Sequence, residues 1–242
     1  MKLLTILIPF LFTFSFLSQK STLIDKRKKE ELMYKTVIIG NAEWMAENLN
    51  TSRFLNGDLI LEAKTDEEWI EAAANETPAW CFYNNDPLNG VKYGRLYNWY
   101  AINDPRGLAP EGWRIPTDCD VWDLIKSLGP SKTDNSSENK AGQQLKSIIG
   151  WADDGNGNNN SGFNAKPSGW RLVGGDNDGS VGGLNYIAVW WTKSIDNSNL
   201  RCTMDGNTGF PYRFYVNNFS KAVNLLPDSK GTGCAVRAVK FK

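Results

Sequence analysis

Gly112–Pro130, GWRIPTDCDVWDLIKSLGP, reads as a helix carrying its own start and stop signals. Thr117, just after Pro116, is placed to accept the backbone N–H of Asp120. Val121, Trp122, Ile125 and Leu128 then fall on one face at helical spacing. Gly129-Pro130 cannot continue a helix and ends it. Upstream, Thr65-Asp66-Glu67-Glu68 has capping-box spacing and leads into Trp69, Ile70, Ala72 and Ala73, a second helix start. A third short helix is expected over Ala141–Ile148. The rest of the chain offers short apolar runs separated by Gly and Asn, which read as strands: Lys35–Ile39, Ala188–Thr192, Leu200–Met204, Tyr212–Val216 and Ala235–Phe241. In the last run, Val236, Ala238 and Lys240 should point one way and Arg237, Val239 and Phe241 the other. A few helices early and strands late predict an α+β domain. Two long Asn/Gly stretches, Asp153–Gly162 (DDGNGNNNSG) and Gly174–Gly183 (GGDNDGSVGG), have the length at which loops tend to carry function.

Composition works mostly by exclusion. The 242 residues hold 27 basic and 27 acidic side chains, so the chain is formally neutral and lacks the basic footprint of a nucleic-acid binder. Apolar residues make up 41% and charged residues 22%, which is enough for a real core and argues against disorder. There are 10 Trp, 8 Tyr and 11 Phe but no His. Without histidine, Ser-His-Asp and Cys-His catalysis, imidazole metal sites and histidine pH switches are all excluded.

At the N-terminus, Lys2 precedes an apolar run from Leu3 to Leu17, followed by Ser18-Gln19-Lys20-Ser21. A positive start, a short apolar stretch and small or polar residues make the layout of a secretory signal peptide, assigned to residues 1–18. The run is shorter than a spanning helix needs and Pro9 interrupts it; an uncleaved anchor is the alternative. Once the signal is removed, no segment is apolar enough to span a bilayer. The expected address is therefore secreted or cell envelope, periplasm or outer surface. Residues 19–35, with six basic and three acidic side chains, read as a solvated charged spacer. A single domain is expected over residues 36–242.

The body resembles a known family. The stretches Val37–Asn50 (VIIGNAEWMAENLN), Pro78–Asp86 (PAWCFYNND), Tyr93–Tyr100 (YGRLYNWY), Gly112–Thr117 (GWRIPT), Ala141–Ser147 (AGQQLKS), Gly162–Pro167 (GFNAKP), Trp190–Thr192 (WWT) and Val236–Lys240 (VRAVK) resemble, in order, the Fibrobacter succinogenes major paralogous domain of exported bacterial proteins. The resemblance implies a C-type lectin-like fold of the group that includes the formylglycine-generating enzymes. A few short helices would pack on a small, twisted, mainly antiparallel sheet with long irregular loops. It also implies that Ala109 and Ala238 stand where relatives carry a cysteine pair, so their Cβ atoms should lie roughly 4–5 Å apart.

Four cysteines in an exported chain suggest bridges, and four allow three connectivities. Cys202–Cys234 is the preferred pair because both fall on late strands; such a bridge would add about 3–4 kcal/mol. Cys81 and Cys119 are left either as a second pair or as inert buried thiols. The reactive thiol pair of the formylglycine-generating enzymes has no counterpart motif here. Asp154, Asn156 and Asn158 have the alternating oxygen spacing of a calcium loop, but position six is Asn159 and position twelve is Ala165, which rejects an EF-hand. A looser Ca²⁺ site on those three residues stays open, since lectin-like folds hold calcium in such loops; the plainer reading is a turn-rich loop. The lectin signatures themselves are absent.

Trp44, Trp99, Trp113 and Trp122 are assigned to the core. Of Trp190 and Trp191, strand alternation sends one inward and one outward. Trp151 and Trp170 flank the Asn/Gly loops and are the candidates for an exposed aromatic platform, alongside Asp153, Asp154, Asn156 and Asn158. The functional expectation is an exported, non-catalytic binding module that contacts a glycan or a surface protein through residues 151–186. The alternatives are a structural envelope protein without a small ligand, and an enzyme, either oxidase-like or a glycosidase.

Overall fold

The structure, a computed structural model, describes residues 20–129, 139–173, 179–196 and 209–241. Its first elements overturn the spacer reading of residues 19–35. Lys20–Arg27 (β1) and Glu30–Ile39 (β2) form an antiparallel hairpin with eight register pairs, turning through Lys29 at φ 65°. Every second residue of β1 faces inward, but two of them are charged, which hid the alternation. Arg27 Nε donates to both carboxylate oxygens of Asp25 at 3.0 Å, and its Nη atoms donate to the carbonyls of Arg53 and Leu108. Both side chains are buried, and they neutralise and solvate one another, so a highly charged segment still enters the core.

The chain continues through Ala42–Met45 (β3), Leu61–Glu62 (β4), Asp66–Ala74 (α1), Ala79–Cys81 (β5), Pro87–Tyr93 (α2), Leu96–Tyr97 (β6) and Trp99–Asn103 (α3). Asp118–Ser127 (α4), Ala141–Leu145 (α5), Ser168–Arg171 (β7), Val181–Leu184 (β8), Ile187–Ile195 (β9), Pro211–Asn217 (β10), Asn224–Pro227 (β11) and Val239–Phe241 (β12) complete it. The architecture is α+β, with five short helices among the described residues. The strands form a four-stranded sheet (β1-β2-β3-β12), a five-stranded sheet (β11-β10-β9-β7-β8) and a three-stranded sheet (β4-β5-β6). All pairings are antiparallel except β4–β5 and β7–β9. No helix among the described residues is long and apolar enough to cross a membrane.

The helix signals hold. Thr65 caps α1 by accepting from Glu68 N, and Thr117 and Asp120 form a reciprocal capping box on α4. The third helix is shorter than expected. It stops at Leu145 because Lys146 turns extended and sends its ammonium inward, donating to the carbonyls of Asn217 and Ser220 at 3.0 Å each.

The alternation argument for Trp190 and Trp191 is corrected: both are fully buried. The five-stranded sheet is covered on both faces. Trp190 lies in a cluster with Trp44, Phe163 and Phe214, while Trp191 lies in one with Trp80, Tyr97 and Val236. Trp44, Trp99 and Trp122 are buried as expected, and Trp113 is half-buried against the second cluster.

The last segment ties the sheets together. Gly233 exchanges backbone hydrogen bonds with Arg171 of β7, and Cys234 does so with Tyr97 of β6. Ala235 bonds both Val189 and Trp191 of β9, Val236 O accepts from Leu49 N, Ala238 O accepts from Met45 N of β3, and Val239 exchanges bonds with Arg114. Alternation along this segment is as read. Val236 and Ala238 enter the Trp191 cluster, Val239 enters the Trp190 cluster, and Arg237 is buried against Phe163 and Trp190. Ala109 packs against the same cluster that buries Ala238.

The preferred disulfide is also corrected. Cys234 is a free thiol, buried with its backbone paired to Tyr97, and Cys81 is likewise free and buried. Cys119 is disulfide-bonded. Cys202, the expected strand Leu200–Met204 and residues 174–178 of the second Asn/Gly stretch lie outside the described residues.

Candidate functional site

Alternation along β10 divides its side chains between the two faces of the five-stranded sheet. Tyr212, Phe214 and Val216 enter the Trp190 core, so Arg213, Tyr215 and Asn217 stand on the opposite face. They are opposite Trp191, Val189 and Ile187 of β9, respectively. Beyond the end of the Trp191 cluster this face opens into a depression of about 550 Å³, lined by Trp170, Tyr186, Arg213, Tyr215, Asn217 and Phe219, with Asp153 and Leu226 at its margin.

Three connections fix the rim of the depression. Asn218 N donates to Tyr186 O at 2.9 Å, tying the loop after β10 to the β8–β9 turn. Ala152 N donates to Asn185 O at 2.8 Å, and Asn218 Nδ2 donates to Asp153 Oδ2 at 3.2 Å, bringing in the Asp/Asn loop. Gly155 allows the close approach: a Cβ there would lie 2.5 Å from Asn218 Cβ. Asp153 at φ 51° and Asn185 at φ 68° occupy left-handed backbone, which Asp and Asn tolerate better than most residues.

Arg213 forms the floor. It is 9% exposed, and its guanidinium carbon lies 4.6 Å from the Trp170 ring centroid and 5.4 Å from that of Tyr215. Its Nε donates to Asp228, which is itself held by Ser229 N and Thr232 Oγ1. Among the described residues, Arg213 Nη1 has no hydrogen-bond partner. A buried donor left without an acceptor is costly. Tyr186 is 49% exposed and Phe219 is 85% exposed, so two rings stand open beside this donor.

The structure thus brings Trp170 and Asp153 to one depression but separates the other expected site residues from it. Trp151 is buried, and its Nε1 donates to Ser147 Oγ at 3.1 Å and Ala165 O at 3.2 Å; it is a core residue, which corrects the platform reading. Asn156 Oδ1 accepts from Trp151 N and Asn158 Oδ1 accepts from Asn160 N, both at 3.1 Å. The amide oxygens expected to face a cation together with Asp154 instead stabilise turns. None of Asp154, Asn156 and Asn158 lines the depression. Among the described residues no group of three His, Cys, Asp or Glu side chains converges on a point. Burial pushes the Cys81 thiol up to about 11 and raises Cys234 as well, which disfavours the thiolate at both.

The family model of the Fibrobacter succinogenes major domain matches residues 37–240. The chain belongs to that family. No curated protein and no solved structure is significantly similar to it. Within this Fibrobacter succinogenes major domain, the structure extends the sheet back from Val37 to Lys20, ahead of the matched region. Arg213, Tyr215 and Phe219 were missed in the sequence reading. The signal was available: Arg213, Tyr215 and Asn217 alternate with three apolar residues, and Phe219 is a lone aromatic in an Asn-Asn-Phe-Ser turn.

Proposed function

We propose that this Fibrobacter succinogenes major domain is an exported, non-catalytic binding module of C-type lectin-like fold, and that its ligand is a glycan received in the Trp170–Phe219 depression. The observation that carries the reading is the pairing of two open rings, Tyr186 and Phe219, with the buried, incompletely bonded Arg213. An aromatic face stacks on the C–H face of a sugar ring, while a guanidinium, amides and a carboxylate meet its hydroxyls. The amides come from Asn217 and Asn218 and the carboxylate from Asp153. The rim is cross-linked before any ligand arrives, so little ordering cost falls on binding. The chain has no histidine, so the reading calls on no imidazole acid–base chemistry.

The test is a glycan array with the wild-type chain and Phe219→Ala and Tyr186→Ala variants. These two side chains are exposed, so the variants should fold normally, and a hit should weaken about tenfold or more, in line with the ~1–3 kcal/mol of an aromatic stacking contact. If no polysaccharide binds, the reading falls and the chain is a structural envelope component.

A further inference from the structure

A second concavity, of about 470 Å³, is lined by Lys35, Lys92 and Lys166 together with Tyr93, Ile148 and Ile149. It adjoins a smaller one of about 160 Å³ that shares Lys92, Tyr93 and Lys166 and adds Met33, Glu47 and Val91. β2 contributes Lys35, α2 contributes Lys92, and the segment before β7 contributes Lys166. Lys166 Nζ donates to the Lys92 carbonyl at 3.1 Å, and Lys92 Nζ lies 4.7 Å from the Tyr93 ring centroid. Lys35 Nζ stands 3.9 Å from Glu47 Oε1. Among the described residues, none lining the larger concavity is acidic. The Lys166 ammonium is held below the usual lysine range, first by burial and then, against the pull of Glu47, by Arg237, Lys92 and Lys35. Three ammonium groups therefore share one hollow on a chain whose net charge is zero.

The rim is aliphatic. Met33 is 70% exposed, Val91 85%, Ile148 62% and Ile149 73%. Among the described residues, the rings lining the two concavities are those of Tyr34 and Tyr93, and both are buried, so this face offers no open ring on which a sugar could stack. Exposed aliphatic side chains around a cluster of lysines match a lipid surface instead: alkyl groups enter the acyl boundary while ammonium groups meet phosphates. We infer that this face docks on an anionic phospholipid surface, with a headgroup phosphate held among Lys35, Lys92 and Lys166 and the four aliphatic side chains set into the acyl boundary. The site is separate from the aromatic depression and does not depend on the glycan reading.

The experiment is co-sedimentation of the full chain with vesicles of phosphatidylcholine alone and of phosphatidylcholine mixed with phosphatidylglycerol, at low and high salt. The expected result is a salt-sensitive preference for the anionic vesicles. Lys35→Gln/Lys92→Gln should weaken that preference about 25-fold, at roughly fivefold for each ammonium. Ile148→Ser/Ile149→Ser should weaken binding while circular dichroism stays unchanged. All variants keep the same termini, so their differences report on this face alone. Calorimetry with inorganic phosphate separates the two sources of the anion. An anionic preference that survives Lys35→Gln/Lys92→Gln overturns the inference. So does saturable binding of inorganic phosphate without any binding to vesicles.

Discussion

Asn48 Oδ1 accepts the Nε–H of Arg237 at 2.8 Å, joining positions 189 residues apart inside the core. The same oxygen accepts Trp190 Nε1–H at 2.9 Å, and Asn48 Nδ2 donates to Tyr93 O at 2.8 Å. Arg237 is buried, and its other partners are carbonyls, including Asn164 O at 3.1 Å, and the faces of Phe163 and Trp190. Its charge is thus solvated by dipoles and rings, with Asn48 as the central acceptor. Asn48→Ala strands two buried donors and a carbonyl, one donor being a cation, and should cost about 3 kcal/mol or more in chemical denaturation. Asn48→Asp keeps the acceptor and should cost less.

Asp120 predicts a specific acid sensitivity. Burial alone would raise its carboxyl, but Arg114, at 2.7 Å through Nη2, and the N–H and hydroxyl of Thr117 outweigh that and hold it below the ordinary aspartate value of 3.8. A depressed folded-state pKa stabilises the fold above the unfolded value and loses that contribution as pH falls through the folded one. Stability should therefore drop below pH 3.8. Asp120→Asn should already be about 2 kcal/mol less stable at pH 7 and show a shallower further loss in acid melts.

The cysteines should separate cleanly by reactivity. Cys81 and Cys234 are fully buried with raised thiol pKa values, so at pH 8 neither should be alkylated in the native protein. Unfolding without reductant should expose both, while Cys119 stays blocked until its bridge is reduced. Peptide mass mapping after each step checks this.

Ala109 and Ala238 share a cluster, and neither contributes more than a methyl group to it. The double variant Ala109→Cys/Ala238→Cys is expected to oxidise spontaneously and to raise stability by about 5 kcal/mol, the chain-entropy value for a loop of this size. A variant that stays reduced in air would show that the two Cβ atoms are too far apart.

Elements that carry their own signals were legible in the sequence. Thr65 and Thr117 announced their helices because capping is local chemistry, and alternation placed Arg237 and Val239 opposite Val236 and Ala238. Elements defined by distant partners were not. The first hairpin escaped because its inward positions include Asp25 and Arg27, a pair whose burial depends on the carbonyls of Arg53 and Leu108. One of Trp190 and Trp191 was expected at the surface because one strand cannot reveal whether its sheet is covered on both faces. Of the site, Trp170 and Asp153 were legible as aromatic and polar residues beside Asn-rich loops. Arg213 and Phe219 were not, because their roles depend on which strands lie adjacent.

The strand register has a consequence for the order of assembly. Residues 233–241 supply backbone partners to four strands, β3, β6, β7 and β9, and to the loop residues Leu49 and Arg114. A nascent chain halted short of this stretch holds two half-built interiors with open edges. Closure of both interiors therefore waits on residues 233–241, and deleting this stretch would be far more damaging than the loss of its few side chains.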